Sequence, residues 1–442
     1  MSFANLEKAF LASKVLSQKN FSKISGKSFD HEMNDLMTNH EWPTPKLENW
    51  KYTNITKLAQ VEFLFAQRPI PKILPEFWQN YLDAKDFDSA FVFFNGEYCA
   101  LLSRISKNDQ FRFEQMPSFM LGPSSAIEKM NQLLIKDVLR LEIKRNVQIE
   151  KPIAVLFLSD PDVSQNQIHA SRLQVILENL SQAEIFEIHA SLSGADLEMT
   201  GSQQTHQVTN HMCEFSLGDS ARLQHNFLNM TSKMSTNFFN KKFELARSSF
   251  LRSLHIDLGG ALSRVETYVR LNEPGAEAYV NGLYLNNERQ HTDHQGVIQH
   301  LAPETMSHQL FKGILADQSR AVFNARIRIE QTAPKSSAEQ LNKNLLLSER
   351  VEIDSLPRLE IFNDDVKASH GATSGRIDPD QVFYLLSRAI SHERAMRLLV
   401  EGYALEMLSD TTSTMASKIQ YFISQKLREF KNVFALEKEV RT

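Results

Sequence analysis

Histidine and cysteine are the side chains of this 442-residue chain best suited to hold a metal or a cluster, and they are unevenly placed. The only two cysteines, Cys99 and Cys213, exclude a disulfide framework. They also exclude a thiolate-only zinc or iron–sulfur cage built by this chain alone, which takes four thiolates. Both read as buried small hydrophobes. His291, His294, His300 and His308 lie close together, with Asp293 inside an H-x2-H spacing, and imidazoles are metal ligands. On a strand or loop that spacing lacks the single-face geometry of the helical H-E-x-x-H pair, so the stretch reads as a solvated polar loop. Asp364 and Asp365 read as turn residues. His370 is different: it stands among small residues, Gly371, Ala372 and Gly375, where nothing bulky obstructs it. Gly26-Lys27-Ser28 ends like a phosphate-binding loop, but Phe21 occupies the position of the first glycine and no strand precedes it, so ATP, if used, binds another chain.

The elements around these residues fall into three blocks. Residues 1–89 read as a mainly helical region, from the spacing of Phe3, Leu6 and Phe10 and of Met33, Leu36 and Met37. An extended Trp42–Trp50 segment interrupts it, where Pro43 and Pro45 oppose helix and Trp42, Leu47 and Trp50 call for burial. Residues 90–377 switch to a period of two. Phe323, Ala325, Ile327 and Ile329 alternate with Asn324, Arg326, Arg328 and Glu330, as on a half-buried strand. Leu254, Ile256 and Leu258 alternate with His255 and Asp257 in the same way, and short strand-like pieces begin near Leu345, Val351, Arg358 and Val366. Many strands without intervening helices fit a sandwich or a solenoid; the length of the run favours the solenoid, although no fixed repeat is visible. Residues 378–442 return to helical spacing. Asp378 is a good N-cap with Pro379 at the first helical position, and Val382, Leu385, Leu386, Ala389 and Ile390 form one face. Two further helices follow, on Met396 to Met407 and on Ile419 to Phe434, the last one carrying Lys418, Lys426, Arg428 and Lys431.

Composition narrows the function classes. A net charge of −4 carries no bias toward nucleic acid or an anionic membrane. No apolar run approaches the roughly 20 residues needed to span a bilayer, and the N-terminus lacks a secretory pattern. A cytoplasmic protein with a well-filled core is the expectation, given 42% hydrophobic residues.

Asp364-Asp-Val-Lys-Ala-Ser-His370-Gly-Ala-Thr-Ser-Gly-Arg-Ile-Asp378, followed by Val382-Phe-Tyr-Leu-Leu-Ser-Arg-Ala-Ile390, resembles the SufB/SufD family of iron–sulfur cluster assembly proteins, and its SufD branch more closely. Pro43-Thr-Pro, Glu48 and Trp50-Lys-Tyr52 match the family's N-terminal P-T-P-x-x-E-x-W-K-Y signature. The resemblance implies a right-handed parallel β-helix flanked by helical ends, paired with a SufB-like paralogue through the β-helix. It also implies a C-terminal helical domain that docks the ATPase SufC, so the chain would be a non-catalytic scaffold in the SUF system. His370 transfers as a possible interfacial iron or cluster ligand. Family members often carry Cys two residues earlier, where this chain has Ala368. Arg388, His392 and Arg394 are candidates for the ATPase contact. No cofactor is expected to bind stably to the chain alone; a nascent cluster or iron would sit at the interface, and a flavin in the complex. The competing readings are a β-helix carbohydrate-active enzyme, disfavoured by the lack of paired carboxylates, and a SufB-like homodimeric scaffold, weakened by Ala368 and the few cysteines.

Overall fold

The computed structural model describes residues 43–58, 61, 63–65, 70–107, 109–117, 125–160, 166–192, 206–430 and 434. The helical reading of the first 40 residues, Gly26-Lys27-Ser28, Trp42 and Lys431 lie outside them.

The strands coil between two facing parallel sheets. In the first sheet Gln167–Leu177, Gln207–Leu217, Ser235–Leu245, Leu262–Leu271, His291–His300, Arg320–Ile329 and Glu352–Ile361 stack in sequence order. In the second, Gln182–Ser191, Arg222–Met230, Phe250–Asp257, Glu277–Asn286, Met306–Leu315, Ser337–Leu346 and Lys367–Gly375 do the same. Consecutive strands therefore belong to opposite sheets and each pairs with the strand one rung away, which is a β-solenoid. At its N-terminal end Phe111–Pro117 joins the first sheet by antiparallel pairing with Asp137–Ile143.

The rungs are unequal, which is why no repeat shows in the sequence. Gln167 pairs with Gln207 and Gln207 with Ser235, but Leu262 pairs with His291 and His291 with Arg320. Corners vary in length while strand register holds. Several corners place a residue in the left-handed region, among them Leu180, Ser220, Ser248, Gly275, Glu304 and Lys335. The pieces expected near Leu345 and Val351 resolve into long strands, Ser337–Leu346 and Glu352–Ile361. One helix, Ala126–Leu134, interrupts the strand region; Ser125 caps it by accepting from the Glu128 amide.

Three apolar layers result. Phe91, Val155, Leu173, Val269, Phe323 and Ile327 fill the lumen between the sheets. Ala126, Met130, Leu133, Trp50 and Phe238 pack on the outer face of the first sheet. The outer face of the second sheet, with Leu228, Leu254, Ile256, Leu283 and Ile314, is covered by Trp78 and by Val400, Met415, Ile419, Phe422 and Ile423 of the C-terminal helices. At roughly 1.5–3 kcal/mol per fully buried large side chain, this layer fixes helices His392–Leu405 and Ser413–Arg428 to the solenoid.

Several expectations change in detail. Pro43 to Trp50 forms turns and a 3-10 turn at Glu48–Trp50 rather than an extended segment; Trp50 is buried but Leu47 is exposed. Lys426 points inward and donates to Asn287 and Gln290, and Lys418 bonds the Tyr81 carbonyl. Helix Pro379–Leu386 starts as its cap predicts, with Asp378 accepting from the Asp380 amide, yet buries none of its residues.

Candidate functional site

His370 lies on Lys367–Gly375, the last strand of the second sheet, which among the described residues pairs only with Ser337–Leu346. Its register partner is Gln340, and Gln340 pairs with Gln309, so His370 continues a column of inward-facing residues at the open end of the lumen. The side chain is exposed. Beside it Ala368 is partly buried against the lumen core, together with Ile353, Leu359 and Val366. Among the described residues Glu352–Ile361, the last strand of the first sheet, also has no neighbour on its outer side. The terminal rung thus presents two unpaired backbone edges around a half-covered apolar lumen, with exposed Ile361 and Phe362 at its rim.

His392 and Arg394 lie in the first turn of helix His392–Leu405, and Arg388 follows helix Pro379–Leu386. Arg388 reaches the Tyr384 hydroxyl at 3.1 Å, and Phe383 and Tyr384 are 71% and 57% exposed, so this helix shows an apolar face to its surroundings.

The four histidines read as one solvated loop are instead on strands and point to different places. His291 and Asp293 face outward and are covered by the N-terminal signature and the residue after it: Thr53 bonds both, Arg264 pairs with Asp293, and the Arg264 guanidinium lies 3.6 Å from the Trp50 ring centre. His300 bonds Thr305 and Ser307, and His308 sits beside Tyr279. His294 faces the lumen. Burial, not solvent, is the environment of all but His308, because strand alternation inside a closed coil leaves both faces covered.

The lumen also holds polar side chains that sequence reasoning did not single out. Glu187, wholly buried, is surrounded by imidazoles: His189 Nε2 at 2.6 Å and His211 Nε2 at 3.1 Å from Oε1, and His225 Nε2 at 3.1 Å from Oε2. Burial alone would raise the Glu187 pKa; attraction to His211 and the three imidazole contacts outweigh it and hold the carboxyl well below its usual range. The buried Cys213 thiol, pushed well up by burial, lies near Glu187. Lys241 follows, 2.7 Å from His255 Nδ1 and over the Phe227 ring, its pKa lowered to about 7 by burial. Next come His255, Asp257 and His294, whose ligand atoms all lie within 4.8 Å of one another. Toward the open end Tyr284, Asn344, Asn342 and Ser355 are linked by hydrogen bonds, and Gln340 donates to Gln309.

The signal for this polar interior was present in the spacing Glu187-x-His189 and His255-x-Asp257, which puts two ligand types on one strand face. It was hidden because the apolar residues between them, Ile188 and Ile256, also need burial, and they obtain it from the helices outside.

The family model described as SUF system FeS cluster assembly, SufBD core domain, matches residues 161–403. The chain is 31% identical to the iron–sulfur cluster assembly protein SufD of Escherichia coli, an alignment covering 83% of this chain and 84% of that protein. It is 27% identical to an iron–sulfur cluster assembly SufBD family protein of Synechocystis, covering 85% of each. With the SufD of Bacillus subtilis it shares 26% identity over 61% of its length and 59% of the relative's.

Proposed function

Because this chain belongs to the SufBD family of SUF-system iron–sulfur cluster assembly proteins, we propose that it is a SufD-type scaffold subunit whose open solenoid end pairs with a SufB-like paralogue. The observation that carries this reading is the terminal rung: two parallel edge strands with free backbone groups, ringed by Ile353, Leu359, Ile361 and Phe362. Parallel edges of this length cost little to leave open only if something adds to them, and a second solenoid end supplies both strand edges and an apolar lumen. His370 projects from that rung, so a neutral imidazole would reach a joint site to which the partner brings thiolates; iron or the nascent cluster is the cargo assembled there.

The exposed Phe383 and Tyr384, with Arg388, His392 and Arg394 nearby, are the proposed docking face for a SufC-like ATPase, and this chain is assigned no catalytic step of its own. Co-expression with the cognate SufB-like and SufC-like chains tests the reading. Ile353→Asp is expected to release the paralogue while leaving the ATPase bound, and Phe383→Ser with Tyr384→Ser to do the reverse. Recovery of no three-chain complex with the unaltered protein would remove the proposal. Among the described residues no helix is long and apolar enough to cross a membrane.

A further inference from the structure

We propose that His255, Asp257 and His294 form a buried binding site for one divalent first-row transition metal ion, Zn2+ or Fe2+, inside the solenoid and separate from the terminal rung. The site goes beyond the scaffold reading and does not depend on it. His255 and Asp257 project from one strand face of the second sheet, and His294 meets them from the first sheet, so an ion there would tie the two sheets together across the lumen.

The first argument is satisfaction. His255 Nε2, Asp257 Oδ2 and His294 Nε2 are all buried, and none has a hydrogen-bond partner among the described residues. Buried polar atoms nearly always have one, and three such residues whose ligand atoms lie within 4.8 Å of one another could share an occupant. The second is distance. The His255 Nε2 to Asp257 Oδ2 separation is 3.8 Å, too long for a hydrogen bond. Ligands about 2.0–2.1 Å from a tetrahedral ion stand roughly 3.4 Å apart, so this pair needs to close by only a few tenths of an ångström, while the His294 ligand atom lies within 4.8 Å of both.

The remaining atoms are already held. Asp257 Oδ1 accepts from the Asn229 amide at 2.8 Å, and Lys241 Nζ lies 2.7 Å from His255 Nδ1, which turns Nε2 of that ring toward the site. Phe227 stacks on the His255 ring at 4.2 Å and Phe311 lies 4.9 Å from that of His294. Gly282, the register neighbour of His255, leaves the room that Phe311 fills; a Cβ there would meet its ring at 2.3 Å.

The donor set selects the ion. Two imidazoles and one carboxylate suit a borderline cation and not Ca2+ or Mg2+, which take oxygen ligands. Charge agrees, since among the described residues two buried carboxyls, Glu187 and Asp257, both act on Lys241, Lys426 being paired with Glu429. The neighbouring Glu187, His189 and His211 group also has ligand spacing, but its carboxylate already contacts three imidazoles and closes on itself.

The full chain, produced with zinc or iron supplementation and then incubated anaerobically with excess Co2+, provides the test by metal analysis and by the visible spectrum of bound cobalt. One ion per chain is expected, with a tetrahedral or five-coordinate cobalt spectrum. Asp257→Asn keeps the acceptor for Asn229 and so preserves the fold, yet should weaken binding by more than about 100-fold, since even outer-shell changes cost 10–100-fold. His294→Gln should do the same. His370→Ala and His211→Gln should retain the ion, which separates this site from the terminal rung and from the Glu187 group. Absence of bound metal in the unaltered chain, or full retention in folded Asp257→Asn, overturns the proposal.

Discussion

Gln340 and His370 are register partners on the last two strands of one sheet: Gln340 is wholly buried and donates to Gln309 at 2.7 Å, whereas His370, one rung further, is exposed. The column does not change direction between them. What changes is that no further rung covers the second residue, so the same inward-pointing geometry that buries Gln340 offers His370 to whatever closes the lumen.

That position makes His370→Ala nearly silent for the chain alone. Its unfolding midpoint should shift by an amount corresponding to less than about 0.5 kcal/mol, as for exposed sites generally. In cells that rely on this pathway, however, cluster or iron acquisition by the assembled complex should fall. Normal cluster assembly with this variant would show that the imidazole is not a ligand.

Glu187→Ala has the opposite profile. It removes the hydrogen-bond partner of His189 and His225 and the charge beside His211, and leaves Lys241 without the carboxylate that balances it. Breaking a buried charged network by deleting one partner costs about 3–5 kcal/mol. Chemical denaturation of the purified chain should show a correspondingly lower midpoint; an unchanged midpoint would mean the network is energetically neutral.

Acid should unfold the protein early. Burial lowers the pKa of His169, His291 and His300 to about 4, and of His189 to about 3, from 6.5. Between these values the unfolded chain binds protons that the folded chain refuses, so stability is lost as pH falls from about 6.5 toward 4. Burial raises Glu184 to about 7, which works the other way over the same window, but one carboxyl does not offset four histidines. Thermal unfolding followed across this range should show Tm dropping steadily with pH, and a flat profile would contradict the buried, neutral state of these rings.

Ala389, in the turn that follows helix Pro379–Leu386, has φ at +60°, a left-handed conformation that a Cβ disfavours. Ala389→Gly relieves that and should stabilise the chain by about 1 kcal/mol, read as a higher denaturation midpoint. Destabilisation instead would indicate that the methyl group contributes packing that outweighs the backbone cost.

The amino-acid sequence by itself determined the strand alternation, the Asp378–Pro379 helix start and the absence of a cysteine cage, because each depends on neighbours within a few residues. The motif around His370 carried the family in the same local way. Which side of a strand is the inside was a different matter. In Phe250–Asp257 the apolar Leu254 and Ile256 lie under the C-terminal helices, and His255 and Asp257 occupy the lumen. A period of two says only that two faces differ; helices from the far end of the chain decide that the apolar one is the outer one. The meeting of His294 with His255 likewise depends on the coil, since residues 39 positions apart on opposite sheets face each other only once the intervening rungs have closed.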